Sequence, residues 1–289
     1  MPISRRAFIG QVTVQLAAAG LVRAAADTSI ERLGMQLYTV RDLMAKDFEG
    51  TLAKVAALGY QEVEFAGYYK KSPQDVKTVL GRNGLTSPAT HTDYASLGDS
   101  FPTVVEASQT IGHRYIVNPW LDEEMRKQPD VWKRVAAAYN RAGEISKKAG
   151  IQFAYHNHHF EFVPVNGVMP YDVLLKECDP DLVKMELDLC WVAVARQDPL
   201  TLFSRYPGRF PLVHVKGLKK VPEAPAPAPF DQAIPNITDV GAGDIIDWKR
   251  IFAKSEQAGI RHYFVEHDQA ASPLDSLQAS AKYLKALRF

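Results

Sequence analysis

Short, nearly continuous apolar runs alternate along this chain with longer stretches in which apolar positions recur every three or four residues, the spacing of one helix face. Six times the helical pattern runs into a glycine and then into an apolar run: "ALGYQEVEF", "RNGLTSPAT", "TIGHRYIVN", "KAGIQFAYH", "YPGRFPLVHV" and "QAGIRHYFVE". Gly59, Gly84, Gly112, Gly150, Gly208 and Gly259 therefore stand where a helix needs a left-handed residue to stop. The runs "LGMQLYTV" and "LVKMELDLCWV" have the same strand character without the glycine, which brings the candidate strands to eight.

The helices between them are well marked. Residues 131 to 149 place Val131, Val135, Ala138, Tyr139, Ala142 and Ile145 on one face, with Lys133, Arg134, Arg141 and Lys147 largely elsewhere. Ser72-Pro73, Asp198-Pro199 and Ser272-Pro273 each pair a capping residue with proline at the first helical position. Apolar strands alternating with helices predict a parallel sheet covered by helices. Eight such units in about 260 residues is the size of an α/β (β/α)₈ TIM barrel, and no G-x-G-x-x-G follows an early strand as a dinucleotide-binding open sheet would require.

In such a barrel the chemistry sits at the carboxyl ends of the strands. In order, those ends carry Gln36 and Arg41, Glu64, His91, Asn118 with Trp120, then His156, His158 and Glu161 in "YHNHHFEF", Glu186 and Asp188, His214 and Lys216, and Glu266 with His267. Alternation along a strand puts Lys184, Glu186 and Asp188 on the barrel's interior face and Leu187 and Leu189 on the helix side. The same phase sends His214 and Lys216 inward opposite Val213 and Val215, and Glu266 opposite Val265. A lone histidine at a strand end is more often a hydrogen-bonded structural residue than a ligand. Convergence argues otherwise here, because Glu161, Asp188 and Glu266 would repel in a partly dry pocket unless a cation neutralised them. With His214 they form a thiolate-free donor set suited to Mn²⁺, Mg²⁺ or Co²⁺, Mn²⁺ first.

Composition narrows the function classes. The 289 residues carry 34 basic and 33 acidic side chains, a net charge of +1, so no basic excess points to nucleic acid. Residues 1–26 hold "SRRAFIG", an apolar run and "RAAA", the pattern of a twin-arginine export signal cleaved near Ala26. The apolar run is too short for a permanent membrane span. Residues 27–289 then form a single barrel domain, periplasmic or otherwise exported, with the twin-arginine machinery as a transient partner. Cys178 and Cys190 flank one strand, too far apart for a disulfide, and are expected to be unpaired and mostly buried.

"YHNHHFEF", "ELDLCWV" with the following "DPL", "GRFPLVHVKG", "VGAGDIIDW" and "FVEHD", in this order, resemble the sugar phosphate isomerase/epimerase group of the xylose-isomerase-like TIM barrels. The resemblance spans residues 32 to 289 and includes inosose dehydratases, ketose 3-epimerases and hydroxypyruvate isomerases. It implies a divalent cation held by Glu161, Asp188, His214 and Glu266, with the fifth-strand position open to His156 or His158. It also implies that His156, His158 and Lys216 bind substrate oxygens. At Gly217 relatives often carry an acidic residue.

From these residues the expected chemistry is abstraction of a proton next to a carbonyl, with Glu161 and Glu266 as catalytic carboxylates and a metal-stabilised enediolate. Epimerisation, isomerisation and β-elimination share that step. The expectation is an isomerase or epimerase acting on a non-phosphorylated sugar or keto-sugar, since export disfavours phosphate esters. A 3-keto-glycoside lyase or hydratase is the alternative, and a non-catalytic sugar-binding barrel is the alternative of another class. His91, Trp120 and Gln36 complete the expected substrate contacts, and Trp191, Tyr38 and Tyr94 near the rim suit a sugar ring's apolar face. The proline-rich segment 219–244 reads as a lid or a solvated spacer, with "GAG" as a possible oxygen cradle. The helix at 274–287, with Leu277, Ala281 and Leu284 on one face, packs on the barrel or serves an oligomer.

Overall fold

The computed structural model describes residues 28–128, 130–165, 167–223 and 229–289. The export signal read at residues 1–26 lies outside the described residues. Eight parallel strands, β1 (Leu33–Gln36), β2 (Glu62–Phe65), β3 (Thr86–His91), β4 (Tyr115–Asn118), β5 (Gln152–His156), β6 (Val183–Asp188), β7 (Leu212–Val215) and β8 (His262–Val265), close into a barrel in which β1 pairs with both β2 and β8. Seven lie within the apolar runs that predict them, and β3 extends one residue past its run, to His91. The six glycines that end the preceding helices have positive φ, and Gly112 and Gly259 directly cap theirs in the left-handed conformation.

Alternation divides each strand's side chains as expected. Val63, Leu187, Val213 and Val215 join the large core between barrel and helices. Inside the barrel a smaller apolar layer of Ala89, Val117, Ala154, Leu212 and Phe264 fills the middle. Gly34 makes room there, because a Cβ on it would lie 2.7 Å from the Phe264 ring. Above that layer, toward the carboxyl ends, the interior turns polar, so the packed middle is a floor on which the site rests.

The helix Pro73–Arg82 starts on Ser72, whose hydroxyl accepts from Asp75 N, and Pro199–Arg205 starts on Asp198, which accepts from Leu200 N. The helix Pro273–Ala286 also begins at its proline, without a side-chain cap. Its Leu277, Ala281 and Leu284 are buried in the main core, about 1.5–3 kcal/mol for each leucine, so that face is spent on the barrel. In the helix Val131–Lys148 the expected Val131, Val135, Tyr139 and Ala142 are buried, Trp132, Ala136 and Ser146 also turn inward, and Ile145 is 37% exposed.

Cys178 and Cys190 are free and buried, as their spacing requires. After β7 the chain forms a small hairpin in which Gly217–Leu218 pairs antiparallel with Ile237–Thr238. A short helix, Phe230–Ala233, sits within it. In the "GAG" turn Gly241 N donates to the chain's own Asp244 Oδ2. The Asp244 carboxylate accepts from Leu218 N, Ile246 N and Trp248 Nε1, which fixes the turn from within. Tyr283 fills the space beside Gly241. At Gly217 a side chain has no room, since a Cβ would lie 2.3 Å from Asp239 O. No helix among the described residues is long and apolar enough to cross a membrane.

Candidate active site

Strand register brings the polar interior residues into adjacent rows. Gln36 pairs with Glu64, His156 with Glu186, and Asp188 with His214 across neighbouring strands. His214 is the hub. Its Nδ1 lies 2.8 Å from Glu266 Oε2 and 3.8 Å from Asp188 Oδ2, and its Nε2 lies 2.7 Å from Glu64 Oε2 and 3.2 Å from Glu186 Oε2. Glu186 Oε2 also faces His91 Nε2 at 3.0 Å and His156 Nδ1 at 3.1 Å. Lys216, 1% exposed, places Nζ 3.0 Å from Asp188, 2.7 Å from Glu266 and 3.0 Å from Asp268.

Two overlapping donor groups result, Asp188 with His214 and Glu266, and His91 with His156, Glu186 and His214. Asp188 is oriented by local structure. It caps the helix Leu189–Val194, its Oδ1 accepting from Trp191 N, and its backbone N–H donates to Asn157 Oδ1. That leaves Oδ2 facing the barrel interior, where the Lys216 ammonium lies 3.0 Å away. An oriented, buried carboxylate oxygen beside an imidazole nitrogen and a second carboxylate fits a divalent cation. His156 Nε2 stands 3.8 Å from the same oxygen and supplies the fifth-strand donor.

Glu161 does not join this group. Beyond His156 the chain leaves the strand and makes a 3-10 turn, Phe160–Phe162, that carries Glu161 back beneath β5. There its carboxylate accepts from Tyr155 OH and, at 2.8 Å, from His158 N. Tyr155 alternates with His156 and stacks on Tyr139 on the helix side, so Glu161 lies on the far side of the strand from His214. Burial pushes its carboxyl up to about 7. Gln36 also differs from expectation. It is fully buried, donates to Glu64 Oε2 at 2.8 Å and accepts from Tyr38 N, so it holds Glu64 and its own N-capped turn.

Electrostatics follow from this crowding. Burial alone would lower the His91 pKa, but Glu64 and Glu186 raise it to about 9. Burial would likewise depress His214, yet Glu186 and Glu266 hold it well above the usual histidine range, so a cation binding at His214 displaces a proton. Burial raises Asp188 to about 6 despite Lys216 beside it. Glu266, which burial would raise, is held well below the usual carboxylate range by Lys216 and His214. His156 is kept neutral, its pKa lowered to about 3 by burial and by His214.

His158, 9% exposed, stands with its ring 5.0 Å from that of His156 on one side and 4.9 Å from Trp120 on the other. Trp120 is 37% exposed at the mouth. Asp268 escapes a reading of the sequence because it lies beyond the end of β8 and gains meaning only from its contact with Lys216. Glu64 and Glu186 are visible as strand-end polar residues, but their joint hold on His214 and His91 depends on pairings across the barrel.

Residues 52–287 match the xylose isomerase-like TIM barrel family. The chain belongs to that family. Among its relatives, the inosose dehydratase of Lacticaseibacillus casei is 25% identical over 268 residues, covering 83% of this chain and 89% of the relative. A sugar phosphate isomerase/epimerase structure from Parabacteroides distasonis is 26% identical, superposes with a TM-score of 0.72 and covers 91% of this chain and 96% of that one. A family protein from Mycobacterium smegmatis, solved in complex with magnesium, is 14% identical with a TM-score of 0.64, covering 88% of this chain and 95% of that one, and speaks to the fold alone. These first two relatives are named as enzymes, in line with the expectation from the strand-end residues.

Proposed function

We propose that this family member is a divalent-cation-dependent lyase that eliminates water or an alcohol from a cyclic, non-phosphorylated keto-sugar. The observation that carries the reading is the meeting of Asp188, His214 and Glu266 at the barrel mouth, with Lys216 among them. Elimination is preferred to isomerisation because the relative from Lacticaseibacillus casei is named as a dehydratase over nearly its whole length. The sugar phosphate isomerase/epimerase neighbour keeps isomerisation as the second reading.

Asp188, His214 and Glu266 would hold the cation, with His156 as fourth donor. When bound, such an ion supplies a Lewis acid that draws electron density from a ketone oxygen and acidifies the adjacent C–H. Glu266, its Oε2 2.7 Å from Lys216 Nζ and 2.8 Å from His214 Nδ1, is the carboxylate placed to take that proton. The Lys216 ammonium and the charged His91 ring offer N–H donors to oxygens on which negative charge develops. The carboxylate-rich interior of Glu64, Glu186, Asp188 and Asp268 disfavours a phosphate ester. A non-catalytic sugar-binding barrel is disfavoured because every one of these positions retains a competent donor.

Incubating the Mn²⁺-supplemented protein with a keto-inositol or a 3-keto-glucoside in deuterated water tests the reading. Elimination produces an enone with strong ultraviolet absorbance. Deuterium uptake with the carbon–oxygen bond intact would move the assignment to an isomerase, and inertness with both would end the enzymatic reading. We also propose export through the twin-arginine pathway, supported by Arg5 and Arg6 before the apolar run. Replacing both by lysine should leave the unprocessed protein in the cytoplasm, and unchanged processing would refute it.

A further inference from the structure

Beside the cation donors lies an aromatic vestibule that the elimination chemistry does not use. Trp191 stacks on Phe230 at 5.0 Å between ring centres, and His158 lies 5.6 Å from Trp191 and 6.1 Å from Phe230. Trp120 meets Phe230 edge-on at 6.1 Å, closing the outer side. Arg126 caps that wall, its guanidinium 3.6 Å from the Phe160 ring centre. Phe230 comes from the hairpin after β7, and both it and Trp120 leave 37% of their surface exposed. An open cleft of about 500 Å³ begins at Phe230 and runs along Asp231, Ile234, Pro235 and Gln269.

Two features distinguish these walls from ordinary packing. His158 Nδ1, His159 Nδ1 and Trp191 Nε1 are buried with no hydrogen-bond partner among the described residues, on side chains at least nine-tenths buried. Buried polar atoms left unpaired cost about 1–3 kcal/mol each, so three in one aromatic cluster indicate a polar ligand. The vestibule also shares walls with the active site. His158 touches His156, and Lys216 Nζ stands 5.5 Å from the Trp191 ring centre. His158 and Lys216 thus join the aromatic cluster directly to the residues around Asp188, His214 and Glu266.

We infer that the vestibule binds a second ring, carried by the leaving group, so that the substrate is a keto-glycoside whose aglycone is itself a sugar or other cyclic alcohol. The exposed surfaces of Trp120 and Phe230 take the C–H face of such a ring, and the unpaired nitrogens of His158, His159 and Trp191 behind them take its hydroxyls. In the reaction the base removes the proton on the carbon between the ketone and the glycosidic carbon. The C–H electron pair forms the new C=C bond, and the C–O pair leaves with the glycosidic oxygen, which gains a proton and departs as the cyclic alcohol. The ketone is retained, and neither oxidant nor reductant is consumed. An oxidation of the parent glycoside must therefore precede this step.

The inference rests on the elimination reading, and the test separates the two. With Mn²⁺ added, kcat/KM is compared for benzyl and methyl 3-keto-glucosides, whose alcohols are of similar acidity, in the parent protein, Phe230→Ala and Trp120→Ala. Calorimetry of the unreactive benzyl and methyl glucosides runs in parallel. A preference of about tenfold for the benzyl compounds, falling towards parity in both variants, is expected. A parent protein indifferent to the ring, or a preference unchanged in both variants, overturns the inference. Should neither ketone react while binding still shows the ring preference and its loss, the vestibule stands and the lyase reading falls.

Discussion

Replacing Lys216 by methionine keeps most of the side chain's volume and removes its charge. The ammonium lies 3.0, 2.7 and 3.0 Å from Asp188, Glu266 and Asp268, and the side chain is 1% exposed. Removing one partner of a buried ion pair strands the other, at a cost of about 3–5 kcal/mol. At about 2–4 °C per kcal/mol for a chain of this size, the melting temperature in chelator should fall by about 6–20 °C. A divalent cation gives Asp188 and Glu266 a positive partner again, so added Mn²⁺ should stabilise Lys216→Met by more than it stabilises the parent. Scanning calorimetry of both proteins in EDTA and in Mn²⁺ reads the two gaps. A loss below about 2 °C in chelator, or a gap that the cation leaves unchanged, would refute the account of Lys216 as counter-ion to the site's carboxylates.

Asp188→Asn should lower bound cation by about a hundredfold or more, whereas Glu161→Gln should retain it, both read by elemental analysis after dialysis; the reverse pattern would return Glu161 to the ligand set. His113 donates from Nδ1 to Ser87 O and faces Tyr68 OH through Nε2, and burial lowers its pKa to about 4. Between that value and the ordinary histidine value the unfolded chain binds the extra proton, so stability is full above about pH 6.5 and falls towards pH 4, by up to about 3 kcal/mol. Urea titrations across that window should show a shallower slope in His113→Phe, and an equal slope would count against it. Gly217→Ala puts a methyl 2.3 Å from Asp239 O and should cost about 1–3 kcal/mol in the same titrations.

The barrel was legible because helix stops and strand interiors obey local rules. A glycine at positive φ and an alternating run each announce themselves within a few residues, and Gly112 before β4 or Gly259 before β8 needs no distant information. Phase along a strand likewise sends Asp188, His214 and Glu266 inward. Glu161 departs from the strand-end expectation because it lies past the end of β5, where the period of two no longer holds and a 3-10 turn redirects the side chain. Phe230 was unreadable for a related reason. Its neighbour Trp191 is distant in sequence, and only the closing of the hairpin after β7 brings the two rings together.

That hairpin is fastened at its neck. Gly217–Leu218 pairs with Ile237–Thr238, and the Asp244 carboxylate ties Leu218, Ile246 and Trp248 to one point. Lengthening the tip costs little, since loop closure grows costlier only slowly with length, while the returning arm stays fixed through Ala233 and Ile234, which pack with Trp191 and Cys190. The tip can thus be lengthened like an interchangeable tool head, altering what reaches the mouth while the eight-stave cylinder keeps its shape.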